Sequence, residues 1–402
     1  MIKRISLLVL LVCLFWAVLS PGLVQAQNEI VILDSSAQVQ FPMRLVFSLS
    51  AQSDVNITDI RLRYTVEQES FAEVTSEAYV EFLPAAIVDV SWSLEMIKIG
   101  GLPPGAIVNY WWVVADADGD MIETSPQQVQ FDDNRYSWRN LTDGKITIYW
   151  YEGGLSFAQE LMSAVQQALA RLGENTGAYL ERPVSLYIYA SSEDLRGSLI
   201  FPTEWTGGQA FTRQGIIAIG IALDDLDWGE RAVTHELAHM VTHQMTYNPY
   251  SGLPTWLEEG LAMYAEGELE PAYASILSAA VDGGNVITVR SLASPFSANP
   301  MEAYLAYAQS YSIVEFLIDN YGQDKMSDLL NTFEQGSGYD EALEKVYGFN
   351  MDGLNVLWRD YVGAAVPATA GVGVHPALIG ASAGILLAAG FGVRRWGWRR
   401  SR

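Results

Sequence analysis

The segment Thr234-His235-Glu236-Leu237-Ala238-His239 has the residue types and the spacing of a metal-dependent hydrolase. On a helix, residues four apart lie one turn above another, so His235 and His239 can approach one ion from the same side. Glu236 then lies between them around the helix, next to the ion without having to ligate it, where a general base acting on water belongs. Three of the four histidines of the chain fall between residues 235 and 243. Chance would place an HExxH in a chain of this length and composition only ~0.002 times, so the spacing is informative. His243 continues the stripe, but it lies about 12 Å along the axis from His235, too far to share an ion with it, and is read as a residue that supports the ligands from behind or as structural.

A third ligand has to come from elsewhere. Pro254-Thr255-Trp256-Leu257-Glu258-Glu259-Gly260-Leu261-Ala262 offers two carboxylates, and Pro254 suits the first turn of a helix after the turn-rich stretch 246–253. Spacing alone does not choose between Glu258 and Glu259, which stand about 100° apart around a helix.

Together these segments resemble the gluzincin zinc metallopeptidases, in particular the peptidase MA-like family related to the aminopeptidase-N-like and thermolysin-like enzymes. Their pattern is HExxH followed about twenty residues on by W-L-x-E-G-[LF]-A, in which the Glu before the Gly binds zinc. The resemblance implies Glu259 as the third ligand, one Zn²⁺ ion as cofactor and a peptide or protein as substrate. A metzincin would need a third histidine six residues after His239, and Met245 stands there.

The resemblance continues over Tyr307-Ala308-Gln309-Ser310-Tyr311 and the helix they open. In aminopeptidase-like relatives a Tyr at this place donates its hydroxyl to the oxyanion, which implies Tyr307, with Tyr311 and Tyr304 as rivals. Gly207-Gly208-Gln209-Ala210-Phe211 stands where relatives have an edge strand that pairs with extended substrate. The Gly-Ala-Met-Glu-Asn segment that holds a free amine in aminopeptidases is absent, so cleavage within chains is expected. The resemblance covers residues 145–362.

The elements that must position these residues follow from periodicity. Asp227 and Glu230 form a candidate capping box, which starts the HExxH helix near Trp228. From residue 145 the pattern runs strand, helix, strand over 146–151, 157–172 and 184–190. A further strand is expected at 215–222, then helices to about 362, including 302–321 and 325–333. This predicts an α+β, thermolysin-like gluzincin domain over 145–362. Residues 28–135 alternate short β-branched and aromatic runs with turns, which predicts an all-β, sandwich-like domain. Its strand candidates are 44–49, 60–66, 79–83, 88–94 and 107–115. Asp116, Asp118 and Asp120 have the alternate spacing of a calcium loop without its distal Glu, so an acidic hairpin turn is expected.

The chain has 402 residues, 50% of them hydrophobic and 17% charged, which excludes disorder of the whole chain. The net charge is −24, and seven of the 23 basic residues sit at the two ends, so the body is more acidic still. Such a body repels phosphate backbones, and nucleic acid is excluded as a partner.

Residues 1–26 have the order of a cleaved signal peptide, and the single cysteine, Cys13, lies within it. The mature chain then has no thiol or disulfide. Residues 366–376 read as a tether, 377–393 as a transmembrane helix, and the Arg- and Trp-bearing residues 394–402 as a cytoplasmic tail. The expectation is a multidomain, single-pass protein of the cell membrane. Its body is extracytoplasmic, its C-terminus cytoplasmic, and the lipid bilayer is a partner through the C-terminal helix. No feature fixes the oligomeric state. The activity expected is that of a membrane-anchored zinc-dependent endopeptidase. The alternative is a catalytically silent surface protein that captures partners on a peptidase scaffold.

Overall fold

The computed structural model describes residues 30–202 and 207–365. The first unit is antiparallel β throughout: β1 (Val31–Gln40), β2 (Arg44–Val66), β3 (Ser76–Tyr79), β4 (Ala85–Glu95), the one-turn helix α1 (Met96–Ile99), β5 (Ala106–Asp116), β6 (Met121–Glu123) and β7 (Gln127–Phe131). β2 organises it. Its first half pairs with β1 and β4, and its second half with β3 and β5.

The inward residues of β2 change parity along the strand. Leu45, Phe47, Leu49 and Ala51 are buried in the first half, Ile60 and Leu62 in the second. A bulge between Ile57 and Asp59 causes the change, because one extra residue flips every following side chain to the other face. Both halves thereby face one core, which Trp112, Val108 and Phe131 complete. The segments 44–49 and 60–66, read from sequence as separate strands, are thus parts of one strand. The intervening Ser53 has the polarity of a loop residue, but its hydroxyl is buried and donates to Asp116 Oδ2 at 2.9 Å. Asp116 also accepts the backbone N–H groups of Asp118 and Asp120, each at 3.1 Å, which closes the β5–β6 turn.

The second unit comprises β8 (Arg139–Asp143), β9 (Ile146–Trp150), α2 (Leu155–Thr176), β10 (Val184–Tyr189), α3 (Ser192–Arg196), β11 (Gly208–Phe211), β12 (Ile216–Gly220), α4 (Leu226–Thr246), α5 (Thr255–Glu266), α6 (Pro271–Asp282), α7 (Val289–Leu292), α8 (Pro300–Glu334), α9 (Tyr339–Tyr347) and α10 (Met351–Ala365). Its sheet has the order β11-β12-β10-β9-β8, parallel in the middle and antiparallel at both edges. Ile148, Leu186, Ile188, Ile217 and Ile219 share one core with Leu161 and Val165 of α2 and Val233 and Leu237 of α4. On the other face Tyr187 stacks on Tyr149, with ring centroids 4.6 Å apart. There the β unit docks: its Gly105 turn lies against the Tyr187 hydroxyl, and Ile200 packs on the β core.

Helix α4 is buried on nearly every side from Ala232 to Val241. It starts at Leu226, two residues before the position read from Asp227 and Glu230, and Asp225 at its N-cap makes no side-chain capping bond. The stretches 302–321 and 325–333 run on as α8, which breaks at Gly322, where φ is 81°. That backbone region favours glycine.

The expected transmembrane helix, and the single-pass cell-membrane location that followed from it, are corrected. No helix among the described residues is long and apolar enough to cross a membrane. The longest, α8, carries Glu315, Asp319, Asp324, Lys325 and Asp328 along its length. Residues 377–393, read as the span, lie outside the described residues, as do the signal segment 1–26, the tether 366–376 and the basic tail 394–402.

Candidate metal centre

α4 presents His235, Glu236 and His239, and α5 crosses it with Glu259. Gly260 permits the crossing. A Cβ there would fall against the Ser310 carbonyl oxygen and 2.7 Å from Val314 Cγ2, so only glycine lets α5 lie this close to α8. The preceding residue, Glu259, is thereby turned toward the two histidines.

Ligand atoms of His235, His239 and Glu259 all lie within 4.8 Å of one another. Glu259 Oε2 is 3.5 Å from His235 Nε2 and 3.7 Å from His239 Nε2. All three residues are buried, as is Glu236. His235 Nε2, both ring nitrogens of His239 and Glu259 Oε2 are buried without a hydrogen-bond partner. Each such atom costs about 1–3 kcal/mol if nothing satisfies it. Two imidazoles and one carboxylate converging on a point form a zinc donor set, and a single cation would satisfy the converging atoms together. Among the described residues this is the one cluster of three with that geometry.

The electrostatics fit a cation. Burial pushes His239 down to about 4, which leaves it neutral and able to ligate. Burial alone would also lower His235, but Glu259 and Glu266 outweigh it and hold this imidazole up, to about 10. Glu259 and Glu266 therefore favour a positive charge at His235. For Glu259 burial opposes ionisation, and the two imidazoles nevertheless hold it below the ordinary carboxylate range.

Glu266 was not singled out in the sequence, yet its Oε1 lies 2.7 Å from His235 Nδ1. A signal for it existed: Glu266 is seven residues after Glu259, two turns along the same helix face. Glu258 stands aside, its side chain 41% exposed and its Oε1 3.8 Å from His239 Nδ1.

Glu236 points to the sheet edge. A Cβ on Gly208 of β11 would come within 3.0 Å of Glu236 Oε1, so a glycine here keeps the carboxylate against the edge strand. Burial raises Glu236 to about 7, near the working range of a base at neutral pH.

Tyr307 and His235 line one small cavity together with Trp228 and Met263. Burial and the charge of Glu259 raise the Tyr307 hydroxyl well above its ordinary value, so it keeps its proton. Tyr311 is engaged elsewhere, its hydroxyl donating to Glu315 Oε1 at 3.1 Å. Tyr304 packs edge-on against Tyr273, with ring centroids 5.6 Å apart. His243, read as structural, lies 3.2 Å from Glu69 of the β unit.

A buried helix bearing HExxH, crossed by a second helix that returns a glutamate, defines the scaffold of a metallopeptidase-like hydrolase. The chain belongs to the Peptidase MA superfamily, whose family model matches residues 164–364. No curated protein matches it by sequence. Among solved structures it is similar to an M1 zinc metallopeptidase from Deinococcus radiodurans (12% identity, TM-score 0.34, covering 85% of this chain and 96% of that one). It is also similar to OgpA from Akkermansia muciniphila (10% identity, TM-score 0.21, 27% of this chain and 28% of that one). The chain thus spans under a third of the length of OgpA. A third likeness is to a family 56 carbohydrate-binding module, a β-1,3-glucan binding domain (17% identity, TM-score 0.16, 25% of this chain and 98% of that one).

Proposed function

We propose that this protein is a zinc-dependent endopeptidase in which His235, His239 and Glu259 hold the ion, Glu236 is the general base and Tyr307 stabilises the oxyanion. The observation that carries the reading is the convergence of three buried, hydrogen-bond-free ligand atoms from two helices beside a buried carboxylate of raised pKa. When bound, zinc supplies Lewis acidity, polarising a substrate carbonyl and making water easier to deprotonate.

The protein's own groups do the rest. Glu236 accepts the proton of the attacking water and returns it to the leaving nitrogen. The Tyr307 hydroxyl donates to the carbonyl oxygen as charge gathers there. The edge of β11, beside Glu236, aligns an extended peptide backbone through main-chain hydrogen bonds, which do not depend on its sequence. An extended backbone held at an edge needs no free amine, which favours cleavage within chains.

Zinc content and casein cleavage, measured on the wild type, Glu236→Gln and His239→Ala, test this reading. Cleavage should require zinc in the wild type. Glu236→Gln should keep the metal and lose hydrolysis, and His239→Ala should lose both, since two protein ligands rarely hold zinc tightly. Equal loss of metal in both variants would overturn the assignment of Glu236, and a zinc-loaded wild type inert toward casein and acetylated, internally quenched peptides would overturn the activity.

A further inference from the structure

The face of α4 that carries Glu236 does not end there. By helical geometry His243 and Tyr247 lie about 20° to either side of Glu236 around the axis, so they continue the stripe that faces β11. The loop joining β2 and β3 in the β unit reaches this stripe. Glu69 pairs its carboxylate with Arg182, and its Oε2 lies 3.2 Å from Nε2 of His243, whose pKa burial lowers. Its backbone N–H donates to the Arg213 carbonyl at 2.7 Å, and its carbonyl accepts from Arg213 Nε at 3.0 Å. Arg213 lies in the turn between β11 and β12, so the loop is clamped to the end of the edge strand.

This clamp holds Phe71 in place. Its ring stacks on Tyr247, with centroids 4.4 Å apart and planes 15° from parallel. Phe71 is nevertheless 58% exposed, and Val74 nearby in the loop is 67% exposed. Phe71 thus keeps one face of its ring on Tyr247 and leaves much of the rest open to solvent.

Tyr247 is roughly 16 Å along α4 from Glu236, the span of about five extended residues. We propose that Phe71 and Tyr247 form a distal subsite that takes an apolar side chain of a bound peptide, four to five residues from the bond placed at Glu236. The occupant follows from continuity, since a chain paired along β11 is led to the clamped loop and the exposed ring. The β unit thereby supplies part of the substrate cleft, and its role is selectivity at a distance from the reacting atoms. The inference rests on the peptidase reading, so its test uses binding as well as cleavage.

The full chain carrying Glu236→Gln and loaded with zinc is titrated with fluorescent decapeptides of Ala, Ser and Gly in which one Phe is moved through every position. One narrow range of positions should bind about five- to tenfold more tightly than the peptide without Phe, the size of one aromatic contact. Phe71→Ala should erase that gain and leave binding of the Phe-free peptide unchanged. A scan without a preferred position overturns the subsite, and so does Phe71→Ala weakening every peptide equally, which would make the ring a clasp between units. Casein cleavage by the wild type separates the two ideas. Cleavage with a flat scan removes the subsite alone, whereas a Phe71-dependent gain without any cleavage leaves the subsite and removes the peptidase.

Discussion

His235 Nδ1 lies 2.7 Å from Glu266 Oε1, while its Nε2 faces Glu259 Oε2 at 3.5 Å. One helix therefore reaches both nitrogens of a single imidazole, with carboxylates two turns apart. Donation from Nδ1 to Glu266 fixes the tautomer and turns Nε2 toward the ligand point. His235 is thus oriented by Glu266 as well as by its own helix.

Replacing Glu266 should therefore weaken metal binding although the residue does not ligate. Glu266→Ala is expected to lower zinc affinity by about 10–100-fold, as removal of such a partner does elsewhere. Glu266→Gln, which keeps an acceptor oxygen, should lose less. Competition against a chromogenic chelator measures both, and an unchanged affinity in Glu266→Ala would show that His235 needs no orienting partner.

These contacts differ in how far the sequence reveals them. His235, Glu236 and His239 are legible because histidine is rare in this chain and a helix fixes the geometry of residues four apart. Glu259 needed the resemblance, since only the packing of Gly260 on Ser310 decides which of two adjacent carboxylates turns inward. Glu266 is one of 47 acidic residues, and nothing local marks it until α5 is placed across α4. The single strand β2 was hidden by its bulge, because a change of inward parity reads as a loop between two strands. The approach of Glu69 to His243 brings together residues 174 positions apart and arises from the docking of two units.

Glu259 and Glu258 should separate cleanly. Glu259 is buried and faces both imidazoles, while the side chain of Glu258 is 41% exposed. Glu259→Ala should lose zinc, and Glu258→Ala should retain it with little change in affinity. Metal analysis after gel filtration decides, and the reverse outcome would shift the register of α5.

The pH dependence follows from Glu236. A general base works deprotonated, and burial raises this carboxylate to about 7, so hydrolysis should rise with pH toward neutrality and fall about tenfold per unit on the acid side. A bound dication favours the ionised form and draws that limb below 7. Values of kcat/KM between pH 5 and 9 measure it. An acid limb absent down to pH 5 would argue against Glu236 as the base.

Gly260 links stability to the site. An alanine there must push its Cβ against the Val314 side chain and against the Ser310 carbonyl, which is backbone and cannot give way as a flexible side chain would. Gly260→Ala should cost about 1–3 kcal/mol in urea unfolding, the usual size of an overpacked contact. Zinc affinity should fall with it, because α5 carries Glu259 away from α4 as it moves. Full stability with normal zinc binding would mean that the two helices separate without disturbing the ligand.

Tyr307 and Tyr311 stand one turn apart on α8, and their surroundings differ in what each hydroxyl can do. Tyr307 shares a cavity with His235, is buried, and keeps its proton because burial and the charge of Glu259 raise its pKa. Tyr311 already donates to Glu315 at 3.1 Å. A hydroxyl that donates to developing charge contributes only in the transition state, so its removal should lower kcat while leaving KM and the metal nearly unchanged. Tyr307→Phe is expected to reduce kcat by about 10²-fold or more, the usual effect of losing one oxyanion donor. Tyr311→Phe should stay close to wild type in kcat, since the bond it loses is to Glu315. Steady-state kinetics on one quenched peptide, with zinc content measured in parallel, distinguishes the two. A large loss in Tyr311→Phe with Tyr307→Phe unaffected would reassign the oxyanion donor, and a loss confined to KM in Tyr307→Phe would make it a substrate-binding residue.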